Sequence, residues 1–231
     1  MLAEPILSLA VSVAAEHSVQ GVLNTIVHGL AAQPHVALAR TWLLSPGDIC
    51  DSCFMRAKCP DQTQCLHLMA SAGNPANSPG EDWTFLQGHF RRIPLKTTKV
   101  GEVGTTENPI LIKDFAPENQ WIARPDWARR EGIRSFVGHS LVFQGKILGV
   151  FSRECLSEQD STWIGIFAKQ AAVAIANARA FEEIARFRNQ LELDNAYLHE
   201  QVKEGFAFGE IVGKDPALQK VLRQGSDGGP H

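Results

Sequence analysis

Ile133-Arg-Ser-Phe-Val-Gly-His-Ser-Leu-Val-Phe143, Gln144-Gly-Lys146 and Ile147-Leu-Gly-Val-Phe-Ser152 follow one another without a break. Two apolar, β-branched runs flank a glycine-bearing reversal, which is the pattern of an antiparallel hairpin. His139 alternates onto one face of that hairpin, where a hydrogen-bonded sheet histidine is the ordinary reading and a ligand the sharper one.

On its C-terminal side, Ser157-Glu-Gln-Asp160 is a capping signature that opens a long helix. Trp163, Ile166, Phe167, Ala171, Val173, Ala174 and Ile175 make its first half apolar enough to lie against a sheet. Its second half turns polar but keeps heptad spacing. Ile184, Leu191 and Leu198 stand seven apart, with Phe181, Arg188, Asn195 and Val202 on the alternate seam position. This predicts a short parallel coiled coil over 181–204, with Asn195 fixing register and a two-stranded state. A solvated amphipathic helix packed on its own domain is the alternative.

On the N-terminal side, Ile6, Leu7, Leu9, Ala10 and Val13 recur at helical spacing. Ser18 then caps a second helix with Val22, Leu23, Ile26, Val27 and Leu30 as its apolar stripe. Val36 to Leu44 alternates as a strand, with Ser45-Pro-Gly as its turn, and Cys65 to Ala72 reads as the next strand, ended by Gly73-Asn-Pro. Residues 80–93 suggest a short helix, Gly101-Glu-Val-Gly104 a turn feeding the strand from Pro109, and residues 118–131 a loop and a short helix.

Between the two N-terminal strands lies Cys50-Asp-Ser-Cys53-Phe-Met-Arg-Ala-Lys-Cys59-Pro-Asp-Gln-Thr-Gln-Cys65. Four of the chain's five cysteines fall within sixteen positions, spaced C-x2-C-x5-C-x5-C. Thiolates in a C-x2-C turn reach one ion together, and two later cysteines complete a tetrahedral shell. Arg56, Lys58 and loop N–H groups would offset the charge, and His67 could replace one ligand. Two disulfides, or unconnected reduced thiols, are the other readings. The uneven spacing lacks paired zinc knuckles, which favours an iron–sulfur cluster over zinc as the cofactor.

The chain has 231 residues, 44% hydrophobic and 20% charged, with a formal net charge of −3, enough for one sizeable domain plus appendages and without a general pull toward nucleic acid or anionic membrane. No apolar run reaches the roughly eighteen residues of a spanning helix. The first residues carry no basic region ahead of their apolar stretch, so no signal peptide is expected. A cytoplasmic, reducing setting follows. Gly209-Glu-Ile-Val-Gly213-Lys214-Asp215 mimics a phosphate loop but has one residue too few between its glycines and lacks the hydroxyl that Mg²⁺ needs. No catalytic constellation stands out.

Gly101-Glu-Val-Gly104, Asn108-Pro-Ile-Leu-Ile-Lys-Asp114 and Gly145-Lys-Ile-Leu-Gly-Val150, in this order of elements, resemble a GAF domain over roughly residues 3–180. Phe208-Gly-Glu-Ile-Val-Gly213-Lys-Asp-Pro-Ala-Leu-Gln-Lys-Val-Leu222 resembles the opening of the AAA+ domain of sigma-54-dependent transcription activators. The resemblance implies an α+β fold, a GAF-like antiparallel sheet flanked by helices, with a long C-terminal signalling helix. It divides the chain into a sensory domain (1–180) carrying the four-cysteine insertion at 50–65, a coiled-coil linker (181–204), the start of a truncated AAA+ domain (205–224) and a tail (225–231) whose native origin stays open.

Some activators of this group carry iron or iron–sulfur centres in or beside their GAF domains, and the loop with Cys50, Cys53, Cys59 and Cys65, read above as metal ligands, fits that habit without matching their spacing residue by residue. Implied partners are a second copy through 181–204 and a downstream AAA+ domain, with no direct contact to nucleic acid or membrane. A small-molecule effector held by Trp83, Phe85, His89, Phe90, Trp121 and His139, with structural zinc at the cysteines, is the second expectation. A thiol-based reductase, a chemistry found on a few GAF-like folds, is the third.

Overall fold

The computed structural model describes residues 3–59, 62–113, 124–155 and 162–206, together with 216, 217 and 220. Two helices come first, α1 (Ala3–Ala14) and α2 (Val19–Ala31), then strands β1 (Val36–Pro46), β2 (Gln64–Gly73) and β3 (Arg92–Pro94). A short helix α3 (Lys99–Val103), strand β4 (Ile110–Lys113) and helix α4 (Pro125–Arg130) lead to β5 (Ser135–Phe143), β6 (Lys146–Cys155) and α5 (Thr162–Phe206). The strands form one antiparallel sheet in the order β3-β2-β1-β6-β5-β4. The expected α+β architecture with its long C-terminal helix is present.

Both faces of the sheet are covered, so β1 from Val36 to Leu43 and β6 from Gly149 to Cys155 are buried almost without a break, whereas the sequence suggests an alternating β1. On one face, the predicted stripe of α2 (Val22, Leu23, Ile26, Val27, Leu30) packs with Leu43, Leu141, Phe151 and the first half of α5. On the other, Trp42, Leu66, Leu68, Phe136 and Val150 meet Val100 and Val103 of α3. A third cluster joins Leu38 to Trp83, Ala128 and Ile133.

The hairpin that decides the fold closes through Phe143 paired with Lys146, leaving Gln144 and Gly145 as a two-residue loop at φ 50° and 71°. Two successive positive φ values match the twist of the flanking strands, and glycine takes the second at no steric cost. Between β1 and β2 the register skips Met69, a bulge that takes its carbonyl out of the ladder. Gln20 of α2 donates its Nε2–H to that carbonyl at 3.1 Å and so ties the helix to the strand. Ser18 caps α2 as the sequence predicts, accepting from Gly21 N–H.

Several local expectations change. Residues 101–104 are not a simple turn: α3 forms there, with Thr98 accepting from Gly101 N–H at its N-cap. Residues 80–90 make turns and bends rather than a helix, and β3 follows. In α5 the inward stripe is Ile164, Phe167, Ala168, Ala171, Ala172, Ile175 and Ala178, whereas Ile166 and Val173 are exposed. The capping segment Ser157–Asp160 and residues 207–215 lie outside the described residues.

The chain divides into two compact units, 1–182 and 183–231, with the boundary inside α5. In the second unit the heptad residues Ile184, Leu191 and Leu198 are 63%, 68% and 59% exposed. Among the described residues no helix is long and apolar enough to cross a membrane.

Candidate metal centre

The β1–β2 pair ends at Pro46 opposite Gln64, and the cysteine segment occupies the connection beyond it. Cys65 is already on β2, paired with Ser45 on one side and Pro94 on the other. Two 3₁₀ turns, Cys50–Ser52 and Arg56–Lys58, fold the rest of the loop, each closed by backbone bonds such as Ser52 N–H to Ile49 O and Cys59 N–H to Arg56 O. Met55 is buried and anchors the loop, while Phe54 stacks on His89 with ring centroids 4.1 Å apart. Residues 60 and 61 lie outside the described residues.

All four predicted cysteines line one small cavity of about 20 Å³ together with Gly47, Asp48, Arg56, Gln62 and Arg92. All are free thiols. Cys50 Sγ–H donates to Gln62 O at 3.4 Å. A Cβ at position 47 would meet Cys50 Sγ at 2.6 Å and Gln62 O at 2.9 Å, so glycine is what lets the loop close over the thiol. Burial pushes the Cys65 thiol up to about 11, the Arg92 charge pulling the other way.

Charge control comes from residues that the sequence reading passed over. Arg92 of β3 grips Asp48 in a two-pronged ion pair, its Nε donating to Oδ1 at 2.7 Å. Its guanidinium holds the Asp48 carboxyl well below the usual carboxylate range. Arg56 lines the cavity as expected and also pairs with Asp51 at 2.7 Å, whereas Lys58 is not part of the lining. His67 is not part of it either: its Nε2 donates to Pro46 O at 2.9 Å and lies 3.8 Å from Asp48.

The chemistry of this donor set is that of a soft cation, because four thiols with a nearby guanidinium suit zinc or an iron–sulfur cluster. The cavity, about 20 Å³, is large enough for a single ion. Among the described residues no three His, Cys, Asp or Glu side chains stand at ligand geometry, so the thiols share a cavity without yet converging on one point.

The five described candidate effector residues are not gathered in this way. Trp83 is buried against Trp127, with centroids 5.3 Å apart, and its carbonyl accepts from Ser71 Oγ. Phe85 is exposed. Phe90 packs beside Trp42 and accepts the Trp42 indole N–H through its carbonyl at 3.2 Å. His139 is on the opposite face, stacked on Phe151 at 5.3 Å with its Nε2 unpartnered, near Gly165 of α5. His89 belongs with the cysteine loop through Phe54. Trp121 lies outside the described residues.

Sheet order, flanking helices and the elaborated β1–β2 connection define an α+β module built on one antiparallel sheet. The GAF domain model matches residues 15–175, and the chain belongs to the GAF domain family. The chain is similar to the Nif-specific regulatory protein of Herbaspirillum seropedicae, at 26% identity over 130 residues that are 54% of this chain and 24% of that protein. It is also similar to the formate hydrogenlyase transcriptional activator FhlA of Escherichia coli, at 40% identity over 58 residues, 25% of this chain and 8% of that protein.

This chain therefore spans a quarter or less of the length of these regulators. Among solved structures, the GAF domain of a phosphoenolpyruvate-protein phosphotransferase from Coxiella burnetii matches with TM-score 0.52 at 20% identity, over 78% of this chain and 98% of that one. A free methionine-R-sulfoxide reductase from Neisseria meningitidis matches with TM-score 0.52 at 18% identity, over 77% and 89%. At such identities these structures share the fold alone.

Proposed function

We propose that this chain is the ligand- or redox-sensing regulatory domain of a sigma-54-dependent transcription activator, in which Cys50, Cys53, Cys59 and Cys65 hold a metal centre that controls a dimeric signalling helix. The observation that carries the reading is the shared cavity: four cysteines spread over sixteen positions line one space. The names of the relatives, a regulatory protein and a transcriptional activator, support the regulatory role.

Loop order can reach α5 through contiguous protein. Cys65 is the second residue of β2; the carbonyl of Met69 on β2 accepts from Gln20 of α2; and Val19 N–H, at the start of α2, donates to Glu182 Oε1 on α5 at 2.8 Å. A thiolate set gathered on one cation fixes Cys65 against the 50–59 turns. Loss of that cation frees the strand end, and the change biases the α2–α5 contact. Dimerisation through 181–204 then transmits the state to the AAA+ domain.

A second reading has support from the size of the cavity: the four thiols hold zinc as a structural staple, and the signal is a small organic effector bound elsewhere in the domain. Replacing Cys53 by Ser separates the possibilities. Lower metal content with altered helix dimerisation supports the first; lower metal content with dimerisation unchanged supports the second; unchanged metal content sinks both. We keep this chain a regulator rather than an enzyme, since the reductase-type neighbours share only its fold.

A further inference from the structure

Where the chain leaves β1 for the cysteine loop, the strands beside it grip three successive residues. His67 of β2 and Arg92 of β3 are directly paired. His67 Nε2 donates to the carbonyl of Pro46 at 2.9 Å, and Arg92 forks onto Asp48, Nε to Oδ1 and Nη2 to Oδ2. Between them, Gly47 N–H donates to Thr63 O at 3.0 Å. Asp48 stands two residues before Cys50, and Cys65 two residues before His67 on the same face of β2. The Asp48–Arg92 pair therefore ties the entry of the first C-x2-C turn to the strands that carry Cys65, across 44 positions of sequence.

Arg56 makes the contrast. It too lines the thiol cavity, but its partner Asp51 belongs to the neighbouring turn of the same loop, so that pair does not fasten the loop to the sheet. Asp48 acts on a set of thiolates in two opposed ways. Its negative charge, in the cavity wall, disfavours gathering them, whereas its hold on Arg92 fixes where the loop begins. The pair is partly exposed, Arg92 at 19% and Asp48 at 43%, so it adds little to folding stability. Its two-pronged geometry supplies direction instead.

We propose that Asp48 and Arg92 form a latch that positions the Cys50–Cys53 turn against Cys65 and thereby sets how tightly the thiol centre holds its cation. Neither residue is a ligand. The latch rests on the metal reading above and adds its positioning residues. Position outweighs local charge here: Asp48→Asn weakens cation binding although it removes a negative charge from the cavity wall.

The test titrates the full chain, stripped of metal and kept reduced, with Zn²⁺ against a chromophoric chelator and with Co²⁺ by absorbance. Asp48→Asn and Arg92→Gln are each expected to lower Zn²⁺ affinity about tenfold or more. The double variant is expected to lose no more than either single one, as partners in one pair do. Arg92→Lys keeps the charge without the fork and should recover only part of the loss. The thiolate-to-cobalt absorbance, which grows with the number of sulfur ligands, should fall in the latch variants while the metal-free Tm stays at the wild-type value. A fold-wide effect would instead lower the metal-free Tm and leave the cobalt spectrum unchanged.

Zn²⁺ binding by Asp48→Asn as tight as the wild type, or tighter, would overturn the latch, as would additive losses in the double variant. Should Arg92→Gln fail to fold by circular dichroism, Asp48→Asn, which keeps the side-chain shape, still decides by its sign. A wild-type chain that takes up neither Zn²⁺ nor Co²⁺ contradicts the metal reading and the latch with it. Wild-type uptake with Asp48→Asn unaffected contradicts the latch alone.

Discussion

His139 is held between Phe151 and the start of α5, 7% exposed, with no partner for Nε2. Burial first, and the positive charge of Arg153 second, lower its pKa to about 4. Between roughly pH 6.5 and pH 4 the unfolded chain takes up a proton that the native state refuses. Stability contributed by the neutral ring is therefore complete above that window and falls through it, by on the order of 1 kcal/mol per pH unit. Urea midpoints at pH 7 and pH 5 should differ more for the wild type than for His139→Leu; an equal acid loss in both would contradict this. Gln144 is a second test. It holds φ 50° in the hairpin loop, where a side chain is strained, so Gln144→Gly should raise stability by about 0.5–1 kcal/mol, read as a small rise in Tm.

At this scale the cysteines were legible because clustering survives in one dimension. Asp48 and Arg92 were not, since their pairing joins positions 44 apart in sequence through β3 lying beside β2.

Among the elements, α2 and α5 show where periodicity speaks and where it misleads. The α2 stripe was read residue by residue, because its apolar positions all face one way. In α5 apolar residues also occupy outward positions, so Ile166 and Val173 carry an inward signal in the sequence although they are exposed. The inward positions are instead filled largely by alanines, which carry little hydropathy signal and allow close approach to the sheet. Further along, Ile184, Leu191 and Leu198 keep a seven-residue spacing while exposed, and burying them against a second copy removes that apolar surface from water. Leu191→Asp should shift the chain from dimer to monomer in sedimentation equilibrium and leave the metal content unchanged. A monomeric wild type would contradict the seam. The short α3 reads as a turn in the sequence because Gly101 within it and Gly104 at its C-cap argue against helix, and only the Thr98 cap and the packing of Val100 and Val103 override them.

For the whole molecule, the order of helices and strands was legible from hydrophobic pattern and turn chemistry, and the family match agrees with it. Whether candidate effector residues share a face is not legible in the same way, since the sheet separates His139 from Trp83 and Phe90 by placing them on opposite faces. The four-thiol cavity remains the feature on which the functional account rests. The most direct test is to purify the chain without oxygen and measure iron, acid-labile sulfide and zinc per chain beside its visible spectrum, with Cys53→Ser as the control. The account predicts a stoichiometric metal that the variant loses: iron and sulfide with a broad visible absorbance that bleaches in air, or one zinc in a colourless protein. Wild-type protein with no metal above the level of Cys53→Ser would contradict it.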